Sequence, residues 1–512
     1  VDRPLQMRPA VNYHAGANTS DMWSSDSTSL SHRRTLGLEK TSKSHDRKRR
    51  AEYVWHQDVL NSQFADWVVR TLSKDPLASL ADGGRDYIQA VKKLEDRYLR
   101  QHGAVFTFGS GECGQLAHGI DSEQDLMVRR PRIVHSLNEK QVRSIACGGL
   151  HTLTVGADGR VWSWGCNDDH ALGRPTKGEE ENHPGLVEGI SGHVVEAACG
   201  DCHAAVVTLD GKLYTWGSYK DKEGKQFFHP PQETKDKVRR TQMEPMLLAI
   251  GDNSRVANIA CGASFSVALL DDKTVMSWGL GEAGELGRPC GPMKPDGENY
   301  DNRCIYAEHM TPSLCVTGNG DPLPPMKSVG CGMYHLLVVS GSGSAVYTSG
   351  LNNYGQLGLG DTENRTKLEE VVDLDGLGVV KASGGNHHSV AMTAKGRVLA
   401  WGRADYGQLG QGAVQSSAGT FEPRPCLTKI PDGAGRVVDM ACGANHNLVL
   451  TGKNRVFTWG FGESYALGHW SDKDELLPKE MDLSKSKELK NVSILQVSGG
   501  GCHSAILGSV TK

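Results

Sequence analysis

A short phrase, Cys/Ser-Gly-x-x-His, recurs along the chain and limits its fold more than any other feature. Full copies are Cys147-Gly148-Gly149-Leu150-His151, Cys199-Gly200-Asp201-Cys202-His203, Cys331-Gly332-Met333-Tyr334-His335 and Cys442-Gly443-Ala444-Asn445-His446. Weaker copies are Cys261-Gly262-Ala263-Ser264-Phe265, the run from Ser383 to His387 and His388, and Gly499 to His503. A second mark, an aromatic-Gly pair about fifteen residues after a copy, recurs as Trp164-Gly165, Trp216-Gly217, Trp278-Gly279, Trp401-Gly402 and Trp459-Gly460, with Phe108-Gly109 and Ser349-Gly350 as variants. Self-similarity at this spacing marks units that cannot bury their apolar faces alone and must stack or close into a ring.

Between the two halves the pattern predicts strand, tight turn, strand. His151 to Val155 and Arg160 to Trp164 flank Asp158-Gly159, a pair suited to the positive φ angles of a two-residue hairpin turn. Asp210-Gly211 and Lys395-Gly396 repeat it. Short, evenly spaced strands with aromatic-Gly marks predict an all-β chain, a β-propeller of seven blades. The first aromatic-Gly pair, Phe108-Gly109, lacks a preceding His half, and the last His half, ending at His503, lacks a following aromatic strand. One blade is therefore expected to combine both termini, with Val105 to Phe108 beside Ser504 to Leu507, leaving no long open edge.

The propeller is expected over 104–510. Residues 1–50 read as a disordered tail, rich in Ser, Thr, Asn and Arg, with a basic cluster at Arg47, Lys48, Arg49 and Arg50. That cluster suits nuclear import or contact with DNA phosphate, against the plainer reading of a solvated linker. Residues 51–103 carry apolar side chains at helical spacing, from Val54 to Leu72 and from Tyr87 to Tyr98, and predict a partly helical extension. Residues 1–104 hold 17 basic and 13 acidic side chains, so the rest of a chain of net charge −4 stands at −8. A mildly acidic ring argues against its wrapping nucleic acid itself. No apolar run approaches the roughly 20 residues of a membrane span. With no CxxC pair, no zinc site is expected, and five cysteines in one repeat slot read as small buried residues.

The repeat departs from its pattern at two places. Six aromatic-Gly pairs run into a similar turn, as in Gly402-Arg-Ala-Asp-Tyr-Gly-Gln-Leu409, but after Trp216-Gly217 come Tyr219, Lys220, Asp221, Lys222, Glu223, Gly224, Lys225 and Gln226. A charged surface insertion in a repeat array suits a partner, the plainer reading being drift. A second departure is the polar insertion from Cys290 to Asn302.

With these residues in view, the chain resembles the regulator of chromosome condensation family, nuclear guanine-nucleotide exchange factors for the small GTPase Ran. The likeness spans about 104–510 and is carried by Gly165 to Arg174, Gly384 to His388 and Trp401 to Gly410. The resemblance implies that 218–227 is a β-wedge entering the GTPase and that Asp201 and His387 are the residues chiefly responsible for exchange. It also implies GTPase contacts at Glu112, His151 and His503. It places a further carboxylate where this chain has Ser264, and a histidine where it has Phe265. It implies nucleosomes and an import receptor as partners, residence in the nucleus on chromatin, no membrane, no metal and no cofactor. The absence of a Gly-x-x-x-x-Gly-Lys-Ser/Thr loop fits a nucleotide that belongs to the partner. For His203, His335 and His446 the expected role is structural, a bond to backbone of the next blade. The rival reading is a non-catalytic propeller scaffold, organellar or cytoskeletal; a light sensor with tryptophans beside its repeat histidines is disfavoured, since no anchor here has one.

Overall fold

A computed structural model describes residues 102–228, 240–251, 254–291, 308–412 and 420–510. The tail with Arg47 to Arg50, the helices expected across 51–101 and residues 292–302 of the polar insertion lie outside the described residues.

Seven four-stranded antiparallel sheets form the propeller. Blade one is built from Val142–Cys147, His151–Gly156, Val161–Gly165 and Gly185–Val187. Blades two to six begin with Val194–Cys199, Val256–Cys261, Met326–Cys331, Val379–Gly384 and Val437–Cys442. The closing blade takes Val492–Gly499 and His503–Val510 from one end of the chain, Ala104–Ser110 and Met127–Ile133 from the other. Val105 pairs with Leu507 and Phe108 with Ser504, the register read from the sequence.

The core lies between blades. Second strands such as His335–Ser340 are buried along their whole length, which is why Leu336 to Val339 read as a continuous apolar run and not an alternating one. Trp164, Trp216, Trp278, Trp401 and Trp459 are fully buried. Each such ring removes about 150–250 Å² from water, about 4–6 kcal/mol of transfer free energy before entropy is counted.

The recurring phrase is explained by contacts across blade boundaries. The Gly-x-x-His turns of successive blades are joined by a circle of backbone hydrogen bonds: Gly149 N to Gly200 O, Asp201 N to Ala263 O, Ala263 N to Met333 O, Met333 N to Gly385 O, Asn386 N to Ala444 O, Ala444 N to Gly500 O and Gly501 N to Gly148 O, all 2.8–3.2 Å. The glycine of Gly-x-x-His lies under the histidine ring. A Cβ on Gly200 would sit 2.1 Å from His203 Cε1 and 2.5 Å from Gly262 O, so no larger residue fits.

The histidines reach the next blade, but bond side chains and not backbone as expected. Nε2 of His203 meets Ser266 Oγ at 2.9 Å, His335 meets Ser389 at 2.7 Å, His388 meets Asn447 at 2.9 Å, His446 meets Ser504 at 2.8 Å and His503 meets Thr152 at 2.9 Å. The acceptor position is always the residue after the next anchor. Beside Phe265 that position is Leu336, and both are buried, so one link of the circle is apolar on both sides. Beside His151 it is Ala204, and the histidine has no side-chain partner. The repeat-slot cysteines are free thiols, only partly buried except for Cys331, and burial pushes Cys147, Cys261 and Cys442 up to about 12.

Candidate functional site

Strand direction alternates within a blade, so the Gly-x-x-His turns and the turns after the aromatic-Gly pairs open on one face, the Asp-Gly turns on the other. Glu112, Asp201, His387 and the charged stretch after Gly217 therefore share one face.

The charged stretch is a hairpin. Tyr219–Lys220 pairs with Gln226–Phe227, and the chain reverses at Gly224, whose φ of +78° suits glycine. The Asp221 carboxylate accepts from the N–H groups of Glu223 and Lys225 at 2.9 and 2.8 Å, which closes the turn. The tip, Lys222 to Lys225, is exposed.

The root of the hairpin is built into the core. Tyr219 is fully buried, its ring 4.4 Å from that of His203 and stacked 5.8 Å from Phe228. Its hydroxyl accepts from Trp278 Nε1 at 2.8 Å. In four other blades the same indole bond goes to a backbone carbonyl in the turn of the preceding blade: Trp164 to Gln115, Trp216 to Ala171, Trp401 to Gln356 and Trp459 to Gln408. Where the insertion replaces that turn, the Tyr219 hydroxyl takes over the acceptor's role.

Neighbouring blades clamp the hairpin from both sides. Asp169, in the turn of blade one, holds both strands, with Oδ2 2.5 Å from Lys220 Nζ and Oδ1 2.6 Å from Gln226 Nε2. On the other side the Ser264 hydroxyl donates to Lys220 O at 2.7 Å and accepts from Lys220 N at 3.1 Å. Lys222 Nζ lies 3.6 Å from Glu282 Oε2. Ser264 is thus a fastening point for the hairpin at the position where the resemblance placed a carboxylate.

Asp201 sits half-buried beside this clamp, over Gly149 of blade one, where a Cβ would lie 2.7 Å from its Oδ1. Burial pushes its carboxyl up to about 6, with the Lys220 ammonium opposing the shift. The carboxylate is thus partly desolvated. Its charge and that of Glu285 both act on the Tyr334 hydroxyl, which burial raises first. Glu285 is itself buried, and burial pushes it up to about 7.

His387 lies half-buried in an aromatic arc. Its ring is 5.8 Å from Tyr334 and 5.0 Å from Tyr354. The Arg403 guanidinium covers Tyr354 and Tyr406 at 4.9 and 5.2 Å, and Tyr406 meets Phe461 at 4.9 Å. Burial, then the Arg403 charge, lowers His387 to about 4, so it is neutral at physiological pH. Glu112 is exposed on the same face.

Four of the expected contact residues are buried in the free chain. His151 and His503 are 1% and 0% exposed, Tyr219 is fully buried and Asp221 9% exposed. The two histidines lie between blades, Tyr219 anchors the hairpin and Asp221 closes its turn. Sequence reasoning missed Asp169, Ser264 in its present role, and Glu285. Only Glu285 left a local signal: it occupies the slot of Gln115, Gln356 and Gln408, the residue before each turn's leucine. Among the described residues no cluster of His, Cys, Asp or Glu could hold a metal ion.

A family profile described as an RCC1-like domain matches residues 104–506. The chain is 33% identical over 424 residues to the human regulator of chromosome condensation, covering 81% of this chain and 93% of that one. It is 30% identical to the Arabidopsis thaliana ultraviolet-B receptor UVR8, over 73% of this chain and 77% of the receptor. Among solved structures, that of Prp20p from Saccharomyces cerevisiae, described with its binding properties to Gsp1p and histones, superposes with a TM-score of 0.70 at 25% identity, over 82% of this chain and 95% of Prp20p.

Proposed function

The chain belongs to the family of RCC1-like domains, and from that premise we propose that it is a guanine-nucleotide exchange factor for a small GTPase of the Ran type, working in the nucleus at chromatin. One observation carries the reading: where the repeat breaks after Trp216-Gly217, the turn on the candidate face is a hairpin fixed at its root and exposed and charged at its tip. That is the construction a wedge needs. Exchange makes and breaks no covalent bond. A factor that binds the nucleotide-free GTPase more tightly than the loaded form must weaken nucleotide binding by the same ratio. The tip, Lys222 to Lys225, enters the nucleotide site, while Asp201, His387 and Glu112 hold the GTPase on the ring. The partial desolvation of Asp201 suits a carboxylate that exchanges its remaining water for a cationic or N–H partner. Prp20p, with its described binding to Gsp1p and histones, supports a GTPase and histones as partners. The basic cluster Arg47 to Arg50 supplies the import signal or the DNA contact.

The test is release of a fluorescent GDP analogue from Ran. The parent chain accelerates it. Replacing Lys222 to Lys225 by a Gly/Ser turn lowers the maximal rate and leaves the fold intact, since the tip packs on no core residue. Asp201→Asn lowers exchange at least about tenfold, about 1.4 kcal/mol, with no loss of melting temperature. Release that stays at the intrinsic rate with folded parent protein refutes the proposal. It would favour the scaffold reading, for which the likeness to UVR8 and the Phe265–Leu336 link in place of a histidine are the supporting observations.

A further inference from the structure

In four of the six regular turns the third residue beyond the leucine adopts a left-handed backbone where that turn meets the next blade; the other two, in blades one and three, carry Pro175 and Pro289 there. Gly119, Gly360 and Gly412 fill this slot with φ of +82°, +83° and +91°, and blade six fills it with Trp470 at φ +69°. The slot is held open by a bond to the following blade: Gly360 N to Pro423 O, Gly412 N to Leu476 O and Trp470 N to Arg129 O, at 3.0, 2.9 and 3.0 Å. A tryptophan here is conformationally costly, because its Cβ crowds the following carbonyl. Burial recovers little, since Trp470 is 58% exposed. A strained, exposed, large aromatic in a position that accepts glycine points to use at the surface.

Its surroundings identify that use. The guanidiniums of Arg130 and Arg129 lie 5.0 and 5.6 Å from the Trp470 ring centre, and Arg129 also covers Tyr465 at 5.0 Å. Among the described residues, neither guanidinium is within ion-pair distance of a carboxylate, whereas Arg132 pairs with Asp125 at 2.7 Å. Asp482 feels the Arg130 charge, but its carboxylate already accepts from Ser484. With the guanidiniums seated on the aromatic rings, their N–H groups have no carboxylate partner among the described residues, and such forks match carboxylates. Trp, Tyr and Arg are also the residues that dominate binding at protein interfaces.

We propose that Trp470, Tyr465, Arg129 and Arg130, where blade six meets the closing blade, form a docking surface for an acidic segment of a protein partner. It is separate from the hairpin and does not depend on exchange activity.

The experiment uses the full chain with Arg47, Lys48, Arg49 and Arg50 changed to Ala, so that the tail does not compete, and a fluorescein-labelled deca-glutamate peptide as probe. Deca-glutamine and a deoxythymidine decamer are the comparison ligands. Trp470→Gly and the pair Arg129→Gln with Arg130→Gln are each expected to weaken peptide binding at least about fivefold. Trp470→Gly, which restores the residue of the other left-handed slots, is expected to melt no lower than its parent. The proposal is overturned if the parent does not bind the acidic peptide, if both variants bind it as the parent does, or if the decamer binds and the peptide does not. A lower melting temperature for Trp470→Gly with affinity retained would also overturn it, because Trp470 would then be packing alone.

Discussion

Replacing Glu285 by glutamine should stabilise the folded protein at pH 8 and leave it nearly unchanged at pH 5. Glu285 is 7% exposed and occupies a slot that other blades fill with glutamine. Its Oε2 accepts from Ala283 N at 2.8 Å, the bond that Gln115, Gln356 and Gln408 accept from Cys113, Tyr354 and Tyr406. The amide therefore fits the site. Burial, with the charge of Glu282 adding to it, moves the carboxyl from its ordinary 4.5 to about 7, while the Ala283 N–H opposes the shift. A folded-state value above the unfolded one means that the bound proton adds stability below about pH 4.5, and that this is lost as pH rises through about 7. At about 1.36 kcal/mol per pH unit, the loss is about 3 kcal/mol at pH 8. Glutamine cannot ionise and escapes it. The amide nitrogens of Gln356 and Gln408 have no protein partner, so at pH 5, where Glu285 is protonated, the exchange gains little. Urea denaturation of both proteins at pH 5, 6, 7 and 8 measures this. The advantage of Glu285→Gln should grow by about 2–3 kcal/mol across that range. A difference independent of pH, or a parent more stable at pH 8, would refute the assignment of a desolvated carboxyl.

Tyr219→Phe removes the acceptor of the Trp278 indole N–H, so it should cost about 1–3 kcal/mol in denaturant melts and speed hydrogen exchange at Lys220; unchanged stability would show that the indole finds another acceptor. Ala204→Ser supplies the hydroxyl that His151 lacks and should add about 1 kcal/mol. A destabilised variant would mean that the site has no room for one more atom.

Much of the fold was legible because each sign of the repeat answers a constraint that recurs in most blades. The glycine must lie under a ring, the tryptophan must reach the preceding turn, and the unmatched Phe108 and His503 halves required closure between them. The circle of histidine links could also have been read: the residue after each anchor is Thr152, Ala204, Ser266, Leu336, Ser389, Asn447 or Ser504, and Leu336 answers the one anchor that is Phe265. The hairpin was visible as a break in the repeat, but its fastening was not. Asp169 and Ser264 lie in other blades, and nothing local marks them as partners of Lys220. The burial of Tyr219 was hidden for a related reason, since a tyrosine among lysines reads as surface until its ring is seen against Phe228. The exposed strain at Trp470 is a backbone property, visible only when the φ angles of equivalent slots are compared.

The closing blade also sets an order of events for synthesis. Ala104–Ser110 is among the first described segments to leave the ribosome, yet its partner His503–Val510 is among the last, and bonds such as His503 to Thr152 join residues 351 apart. Until the final strand is released, the blade has only its outer half, and the apolar edge of Val105, Phe106 and Phe108 stands open. Long-range closure of this kind is slow and leaves nascent chains exposed to aggregation. A truncation before His503 would therefore arrest folding at an open ring, and a chaperone that shields Ala104–Ser110 would act on the step that limits the yield of finished protein.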